Sequence, residues 1–552
     1  MVTLNAGGAL TATAGINGGT ANNDLQLVVS QPGIGATASK VDVTKLTDIG
    51  NLTFASPVTF NTAGTLDTTG AQTYADAVTV EAATTLAASG LNMNGAFSAG
   101  GNNLSLSAGG VTAVNADVGS GGGNIVFDGG GVTVLNASVA TTGAGDVTFS
   151  EALLLGGDST LATGADGGVI TLGSVVGNEN ALTLNGADTS ASSIDLQEAV
   201  SGLSSLDVSS AGSIRIAGDI ASTGAQTYNN AVVLSGATTL TGSTVTTAGV
   251  TGAYALTIAG DATLASGGSA INGPTSLSVS GTSSINGDIT TAGPQTYSGA
   301  VTIDGASTLA AGTGAVTFGS SVSAANVDLK IDTSGIKAFA GSVTMGSGDL
   351  TATGGGSILV GGDVTSSGAV TLVDAVTLTQ DVTFTGDLVA TGGIDGDAAH
   401  HYNVTFVSAD PEIGGLSGHV DVTKLTQIGN LSFGSVAAIS GGAGPLETAG
   451  TQTYQGDTLF VSDPTLASTG TGTAGDITFA GKVDGPSNLG VNTAGTTRFD
   501  GEVGGLTALN GLITDASGTT RIAADVTAST VTFSDSLLLA GDVTVTGNLT
   551  AG

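Results

Sequence analysis

Residues that could bind a metal ion are concentrated in one short part of the 552-residue chain. The three histidines and the aspartates nearest to them are His400, His401, His419, Asp395, Asp397 and Asp410. Imidazole nitrogens and carboxylate oxygens are ordinary ligands of divalent metals. Asp395, Asp397, His400 and His401 are therefore the candidate metal ligands.

A second copy of the same segment offers a different interpretation. When the two copies are aligned, His400 and His401 fall opposite Asn22 and Asn23. A metal site that the protein requires would be expected in both copies, but only one copy has the histidines. The sequence thus favours exposed loop residues at positions that tolerate Asn, and metal binding stays the alternative.

Carboxylates for catalysis are a further possibility, because enzymes that cleave glycosidic bonds use a pair of Asp or Glu side chains. Asp follows Gly at twelve places spread along the chain, and that spread is typical of tight turns rather than of one cleft. The arginines Arg215, Arg498 and Arg521 each precede Ile or Phe in related contexts. Both patterns indicate a repeated scaffold, and no catalytic residue is predicted.

The motif Gly-x-Gln-Thr-Tyr occurs four times, ending at Tyr74, Tyr228, Tyr297 and Tyr454. An exposed Tyr can stack on a sugar ring, whereas a Tyr that recurs in register can equally hold a stacking or turn position of a repeat. We favour the scaffold role. The tyrosines are 154, 69 and 157 residues apart (228 − 74, 297 − 228 and 454 − 297), which are near multiples of about 22 to 23 residues.

A longer duplication is superimposed on this short repeat. The segment 41–54, VDVTKLTDIGNLTF, recurs as VDVTKLTQIGNLSF at 420–433, an offset of 379 residues. The offset between Tyr74 and Tyr454 is 380, so the register is held across the block. We expect a first block at 1–379 and a second, partly duplicated block at 380–552 that continues the first.

The repeat unit must supply the elements that position these residues. Apolar residues alternate with Thr or Ser over short runs, which indicates β-strands, and Gly-Asp or Asn-Gly ends the runs in tight turns. A unit of about 22 residues with two or three strands fits one coil of a stacked repeat. The predicted fold is all-β, an elongated parallel β-helix (β-solenoid) of ~22-residue coils, and a string of small β-sandwiches is the alternative.

Charge excludes several classes of partner. Nine Lys and Arg against 44 Asp and Glu give a formal net charge of −35. Nucleic acid and anionic membrane surfaces require a basic footprint that nine scattered cations cannot supply. No apolar run approaches the ~20 residues of a membrane-spanning helix, so we expect no membrane insertion.

Several segments resemble the repeats of filamentous-haemagglutinin-like adhesins, which are very large bacterial surface exoproteins. The resembling segments are NTAGTTRFDG at 492–501, DASGTTRI at 515–522, TGAQTYNNAV at 223–232 and GDITF at 475–479. The resemblance implies a secreted, right-handed parallel β-helix that acts as a fibre or adhesin at the cell surface. It carries over no adhesive or catalytic residue.

The resulting functional expectation is a non-enzymatic extracellular structural protein, a surface fibre or adhesin segment that requires no cofactor. The alternative is a polysaccharide-acting enzyme on the same β-helix. Similar repeats at the two ends, VTVTGNLTA at 543–551 and VTLN at 2–5, predict end-to-end contact with other copies or covalent neighbouring repeats. Other expected partners are host-surface or matrix glycans, and calcium is expected to stiffen or bundle the acidic chain.

Overall fold

The computed structural model describes residues 1–189, 192–407, 411–415, 418–435, 437–441 and 444–551. Strands account for 56% of the chain and helices for 2%. The chain divides into two compact units. The first comprises residues 1–266 and 270–275, and the second comprises residues 267–269 and 276–552. Within the units, about 25 parallel coils of about 21 residues each are stacked. The prediction of a parallel β-solenoid is confirmed, and the β-sandwich alternative is wrong.

The first unit consists mainly of strands of 2 to 11 residues. In chain order they are Val2–Ala12, Ile16–Asn17, Leu25–Ile34, Leu46–Thr47, Leu52–Phe54, Val58–Phe60, Gly64–Asp67, Gln72–Tyr74, Val78–Val80, Thr84–Ala88, Leu91–Met93, Phe97–Ser98, Leu104–Ala108, Val111–Val114, Val118–Ser120, Ile125–Asp128, Val132–Leu135, Val139–Thr141, Val147–Phe149, Ala152–Leu155, Ser159–Ala162, Ile170–Leu172, Val175–Val176, Leu182–Gly186, Ser192–Leu196, Val200–Leu203, Leu206–Ser210, Ser213–Ile216, Ile220–Ser222, Gln226–Tyr228, Val232–Leu234, Thr238–Thr247 and Val250–Thr251. The strand Ala255–Asn272 has residues in both units.

The second unit also consists mainly of strands. Its strands are Ser276–Val279, Ser283–Thr290, Gln295–Tyr297, Val301–Ile303, Ser307–Ala310, Val316–Phe318, Val322–Ala324, Leu329–Asp332, Ile336–Phe339, Val343–Thr344, Leu350–Thr353, Ser357–Val360, Val364–Leu372, Ala375–Leu378, Val382–Ala390, Ile394–Asp395, Val404–Phe406, Glu412–Ile413, Val420–Asp421, Leu425–Thr426, Leu431–Phe433, Ala437–Ser440, Pro445–Thr448, Gln452–Tyr454, Thr458–Phe460, Thr465–Thr471, Ile477–Phe479, Val483–Asp484, Asn488–Ala494, Thr496–Phe499, Leu509–Thr514, Thr519–Ile522, Val526–Phe533, Ser536–Leu539, Val543–Val545 and Leu549–Ala551.

Helical structure is limited, over the residues that the model describes, to three single-turn 3-10 helices at Val43–Lys45, Val422–Lys424 and Gly472–Gly475. None of the helices in this part of the chain has the length and hydropathy that crossing a membrane requires. The predicted division at residues 379 and 380 rests on the sequence duplication and stays a prediction.

Parallel pairing between consecutive coils sets which side chains face inward. Leu52–Phe54 pairs with Gln72–Tyr74 of the next coil, which pairs in turn with Leu91–Met93, without a shift in register. Successive side chains of a strand point to opposite faces. A position that is buried in one coil is therefore buried in the next, and the middle residue of each three-residue strand faces outward.

Stacked aromatic rings fill part of the interior of the second unit. Phe384, Phe406, Phe433, Tyr454, Phe479 and Phe499 form one series in which neighbouring ring centroids are 4.8 to 5.9 Å apart. Each of these rings is at most 1% exposed. Burying an aromatic side chain removes a large apolar area from water, and offset stacking adds to the gain. The interior is thus held by columns of like residues, one from each coil.

Candidate functional site

The candidate metal ligands lie on a loop between the strands Ile394–Asp395 and Val404–Phe406 of the second unit. The structure brings Asp397 and His400 together, with His400 Nδ1 donating to Asp397 Oδ2 over 2.6 Å. This hydrogen bond lowers the pKa of the Asp397 carboxyl. The His400 ring also stacks on Tyr402, with centroids 5.2 Å apart.

The other two candidates bond elsewhere. Asp395 accepts from the Asp397 backbone N–H at 2.8 Å and from Thr426 Oγ1 at 2.6 Å. His401 Nδ1 lies 3.1 Å from the carbonyl oxygen of Gln427. No three His, Asp or Glu side chains meet closely enough to hold a metal ion anywhere in the described ranges. The metal hypothesis stays a prediction, and Asp410 lies outside the described residues.

The equivalent loop of the first unit explains the role of Asp395. There Asn17 Oδ1 accepts from the Gly19 N–H at 2.6 Å, and Asn17 Nδ2 donates to Thr47 Oγ1 at 2.8 Å. These bonds match those of Asp395 to a backbone N–H two residues on and to a Thr hydroxyl. A side-chain oxygen that accepts from the backbone two residues later closes an Asx turn, and either Asn or Asp can close it.

The alignment of the histidines needs one correction. His401 has φ 52°, and its counterpart is Asn22 with φ 47°. Tyr402 donates its N–H to Gly396, as Asn23 does to Gly18. The second loop is one residue longer than the first, so His401 lies opposite Asn22 and Tyr402 opposite Asn23. A single offset applied to the sequence could not show this insertion.

The four Gly-x-Gln-Thr-Tyr motifs place Gln and Tyr inside the solenoid. The glutamines are fully buried and the tyrosines are at most 1% exposed; they are Gln72, Gln226, Gln295, Gln452, Tyr74, Tyr228, Tyr297 and Tyr454. Because burial disfavours the phenolate, the pKa of each of these tyrosines is raised. The rings are out of reach of a sugar, so the sugar-stacking alternative is wrong and the scaffold role is confirmed.

Each buried Gln satisfies groups of two coils. Gln452 Nε2 donates to the carbonyl of Leu446 at 3.2 Å and to that of Ala467 in the next coil at 2.7 Å. Gln452 Oε1 accepts from the Tyr454 hydroxyl at 3.0 Å. The same three bonds occur in the other motifs, with acceptors six residues before and fifteen after the Gln. We call each such unit a Gln–Tyr pair.

The Gly-Asp aspartates bond between coils, which the turn interpretation missed. Eight of them accept a backbone N–H from the following coil: Asp146, Asp158, Asp219, Asp288, Asp349, Asp363, Asp457 and Asp476. Longer series also form, since Asp381 accepts from Asn403, Asn403 from Asn430, and Asn430 from Thr451. We call each such series of Asp and Asn side chains an Asx column. Its side-chain hydrogen bonds to backbone N–H groups join successive coils of the solenoid.

The arginines lie on outward positions of strands. Arg215 is in register with Asp195 of the preceding coil, and Arg215 Nη1 lies 3.2 Å from an Asp195 carboxylate oxygen. Arg498 is in register with Arg521 and pairs with Asp500 over 2.7 Å. These contacts are local to the strands and agree with the scaffold interpretation.

Three largely buried acids share one position before a strand, and sequence reasoning missed them. Glu151, Asp374 and Asp535 precede the strands Ala152–Leu155, Ala375–Leu378 and Ser536–Leu539. We call them the corner carboxylates. A shared pattern of Val-Thr, an apolar residue, any residue, the acid and a largely apolar run (VTFSEALLL, VTLVDAVTL and VTFSDSLLL) could have revealed them.

The corner carboxylates have different partners. Thr133 Oγ1 donates to Glu151 over 2.6 Å, and Thr514 and Thr520 donate to the two oxygens of Asp535 at 3.0 and 2.8 Å. Asp374 instead accepts from Lys337 Nζ. Burial raises the pKa of the Glu151 carboxyl, and the Thr133 hydrogen bond opposes that rise.

A shallow groove of about 430 Å³ follows one Asx column in the second unit. Its walls include Asp363, Asp381, Asn403 and Asn430, together with outward Thr and Ser side chains. Asp363 and Asp381 each use one oxygen to accept a backbone N–H of the next coil, at 2.8 and 2.9 Å, and the second oxygen of Asp381 accepts from Asn403 Nδ2 at 2.7 Å. The groove therefore presents hydroxyl, amide and carboxylate groups to solvent along several coils.

Comparison of the chain with protein-family models, with curated proteins and with solved structures finds no match.

Proposed function

We propose that the chain is a non-enzymatic structural protein of the cell exterior, a segment of a surface fibre or adhesin. The main support is the use of its recurring polar residues. The Gln–Tyr pairs and the Asx columns bond backbone groups within and between coils. Polar side chains that hydrogen-bond the backbone of neighbouring coils stiffen a repeated scaffold. A fibre needs a scaffold of this kind.

The proposed family is that of the filamentous-haemagglutinin-like adhesins. A parallel β-solenoid agrees with that resemblance, but the same fold suits other functions, so membership and an extracellular location are parts of the proposal. Surface labelling of intact source cells tests the location. Antibody that reaches the chain only after the cells are opened would contradict it.

Association with other copies, or with covalent neighbouring repeats, is the second part of the proposal. Leu538, Leu539 and Leu549 are 60%, 54% and 57% exposed. Apolar side chains beside strand edges favour contact with another chain. Electron microscopy of the isolated chain at increasing concentration should show end-to-end filaments, whereas dispersed particles at every concentration would contradict self-association.

Calcium and glycans are the proposed ligands of the exterior. Carboxylates and turn carbonyls are hard oxygen ligands that suit calcium, and a net charge of −35 favours cation association. Calcium should raise the unfolding temperature more than magnesium at equal ionic strength. Glycan-array binding tests the second ligand class, and the absence of signal on host and matrix glycans would remove it.

A polysaccharide-acting enzyme is the alternative, and the groove lined by Asp363 and Asp381 favours it. Two carboxylates that flank a glycosidic bond can act as acid and base or nucleophile. The deciding experiment is turnover of a glycan panel by the wild-type chain and by Asp381→Asn, with Asp457→Asn as a control in another Asx position. Turnover that only Asp381→Asn abolishes would establish the enzyme, and no turnover supports the structural protein.

A further inference from the structure

Lys337 is a fully buried lysine inside the second unit. Its side chain is 0% exposed, and its Nζ lies 2.7 Å from Oδ2 of the corner carboxylate Asp374, whose side chain is 11% exposed. Lys337 follows Val316 and Gln295 in the same inward column of three consecutive coils. In this column Gln295 bonds carbonyls of two coils, and the Lys337 amine reaches the Asp374 carboxylate two coils further on.

The nitrogen has a defined arrangement of acceptors. Besides Asp374, Lys337 Nζ donates to the carbonyl of Gly355 and, at 3.5 Å, to that of Gly335. These two carbonyls and the Asp374 carboxylate hold the amine nitrogen in place beside the carboxyl group.

The Lys337 side chain is fully buried and its nitrogen lies against the Asp374 carboxyl group, so solvent does not separate the two groups. An amine nitrogen is a nucleophile and a carboxyl carbon is an electrophile, and formation of an amide joins these two atoms. Fixed reacting groups reach effective molarities on the order of 10⁵ to 10⁸ M.

We propose that Lys337 and Asp374 condense to an isopeptide bond that joins two coils of the solenoid. The Nζ lone pair forms a bond to Cγ of Asp374, and one Cγ–Oδ bond breaks. The departing oxygen takes two of the three ammonium protons and leaves as water, while Nζ keeps the third proton. No oxidant, reductant or cofactor takes part.

The chain contains its own controls. Lys330 and Asp332 form an ion pair of 3.0 Å at the surface, where the side chains are 47% and 43% exposed. Water stabilises those charges, so the exposed pair should stay unlinked. The corner carboxylates Glu151 and Asp535 contact Thr hydroxyls instead of an amine and should also stay unlinked.

Mass spectrometry of the folded and then denatured full-length chain tests the proposal. The expected intact mass is that of the sequence less one water. Trypsin should cleave after Lys330 and fail after Lys337, because an acylated lysine carries no charge for the protease. The digest should then contain one fragment of 331–424 that lacks a water, with fragment ions placing the branch between Lys337 and Asp374.

Lys337→Met is the matched variant, since it retains an unbranched side chain without an amine. Its mass should equal that of its own sequence. If this variant does not fold, the wild-type digest alone decides the question. A wild-type chain of full sequence mass that yields separate fragments 331–337 and 338–424 would overturn the proposal and leave a buried ion pair. Water loss that maps to other residues would overturn it as well.

Discussion

The two copies of the duplicated segment, one in each unit, share the residues that begin the 3-10 helices and form the Gln–Tyr pairs, and they differ in the loop that precedes them. Asp42 and Asp421 begin the 3-10 helices, each accepting from the N–H two residues later at 3.0 and 2.9 Å. Gln72 and Gln452 then form the same Gln–Tyr pair. Removing either kind of residue would take hydrogen bonds away from backbone groups.

The preceding loops differ. Asn17 stands where the other copy has Asp395, Asn22 where it has His401, and the second loop contains one more residue. The turn is closed in both cases. The comparison teaches that the fold depends on residues that bond between coils, and that the histidines occupy positions where the fold accepts other side chains.

The largest effect is expected from Gln452→Leu and from Gln72→Leu in the other copy. Each change removes two hydrogen bonds to backbone carbonyls and leaves the buried Tyr hydroxyl without its acceptor, whereas the Ala87 carbonyl keeps the N–H of Thr68. A lost hydrogen bond costs about 0.5–1.5 kcal/mol and an unsatisfied buried polar group about 1–3 kcal/mol, so the free energy of unfolding in urea should fall by about 2–6 kcal/mol in both copies. The outward controls Thr453→Val and Thr73→Val should change it by less than about 0.5 kcal/mol. Equal effects of the inward and outward changes would contradict a stabilising role that is specific to the Gln–Tyr pairs.

The next largest effect is expected from Tyr454→Phe and Tyr74→Phe. The ring packing remains, but the Gln oxygen loses its donor, which costs about 1–2 kcal/mol. Tyr454 stacks face to face on both Phe433 and Phe479, whereas Tyr74 stacks on Phe54 and meets Phe97 at 82°. Equal losses in the two copies would show that the hydroxyl matters rather than the ring geometry, and a loss in one copy only would contradict this.

A smaller effect is expected at the helix caps. Asp42→Ala and Asp421→Ala each remove the acceptor of one N–H, and the loss of a cap costs about 1 kcal/mol. Thermal unfolding of both variants should show the same decrease. If only one variant is destabilised, the two segments do not share a structural role.

Exchange of the loop residues should have almost no effect on stability. The double variant Asp395→Asn with His401→Asn places the Asn residues of the first loop at the two equivalent positions of the second, and its unfolding free energy should stay within about 0.5 kcal/mol of wild type. Addition of calcium or a chelator should act equally on both proteins. A calcium response that disappears in the double variant would establish the metal site at this loop.

The smallest expected effect is a titration. His400→Asn removes the first cause of the lowered pKa of Asp397, so that pKa should rise toward its ordinary value. A carboxyl whose pKa is lower in the folded state stabilises the folded protein at pH values above the unfolded pKa. This stabilisation is lost as the pH falls through the folded pKa. The free energies of unfolding of the variant and of wild type should therefore differ only above this acid range. Carbon-detected NMR of the Asp397 carboxyl measures this pKa. An unchanged pKa in His400→Asn would contradict the hydrogen bond between His400 and Asp397.

The sequence predicted the coil and its alternation well, because a period of two and a fixed repeat specify inward and outward positions locally. It could not predict that Gln452 donates to Ala467 or that Asp381 accepts from Asn403, since those bonds depend on the stacking of coils. Lys337 and Asp374 are 37 positions apart, and nothing in their neighbouring residues indicates that the two meet. The inserted loop residue was hidden for a different reason, because the His and Asn letters alone align equally well in two ways.

Backbone hydrogen exchange of wild type, Gln452→Leu and Thr453→Val tests most directly whether a Gln–Tyr pair holds two coils together. In Gln452→Leu, amide protection should fall in the strands Pro445–Thr448 and Thr465–Thr471, which supply the two carbonyls, and stay unchanged throughout the first unit. Thr453→Val should keep wild-type protection. Protection in Gln452→Leu that equals that of wild type would contradict a structural role for the motif.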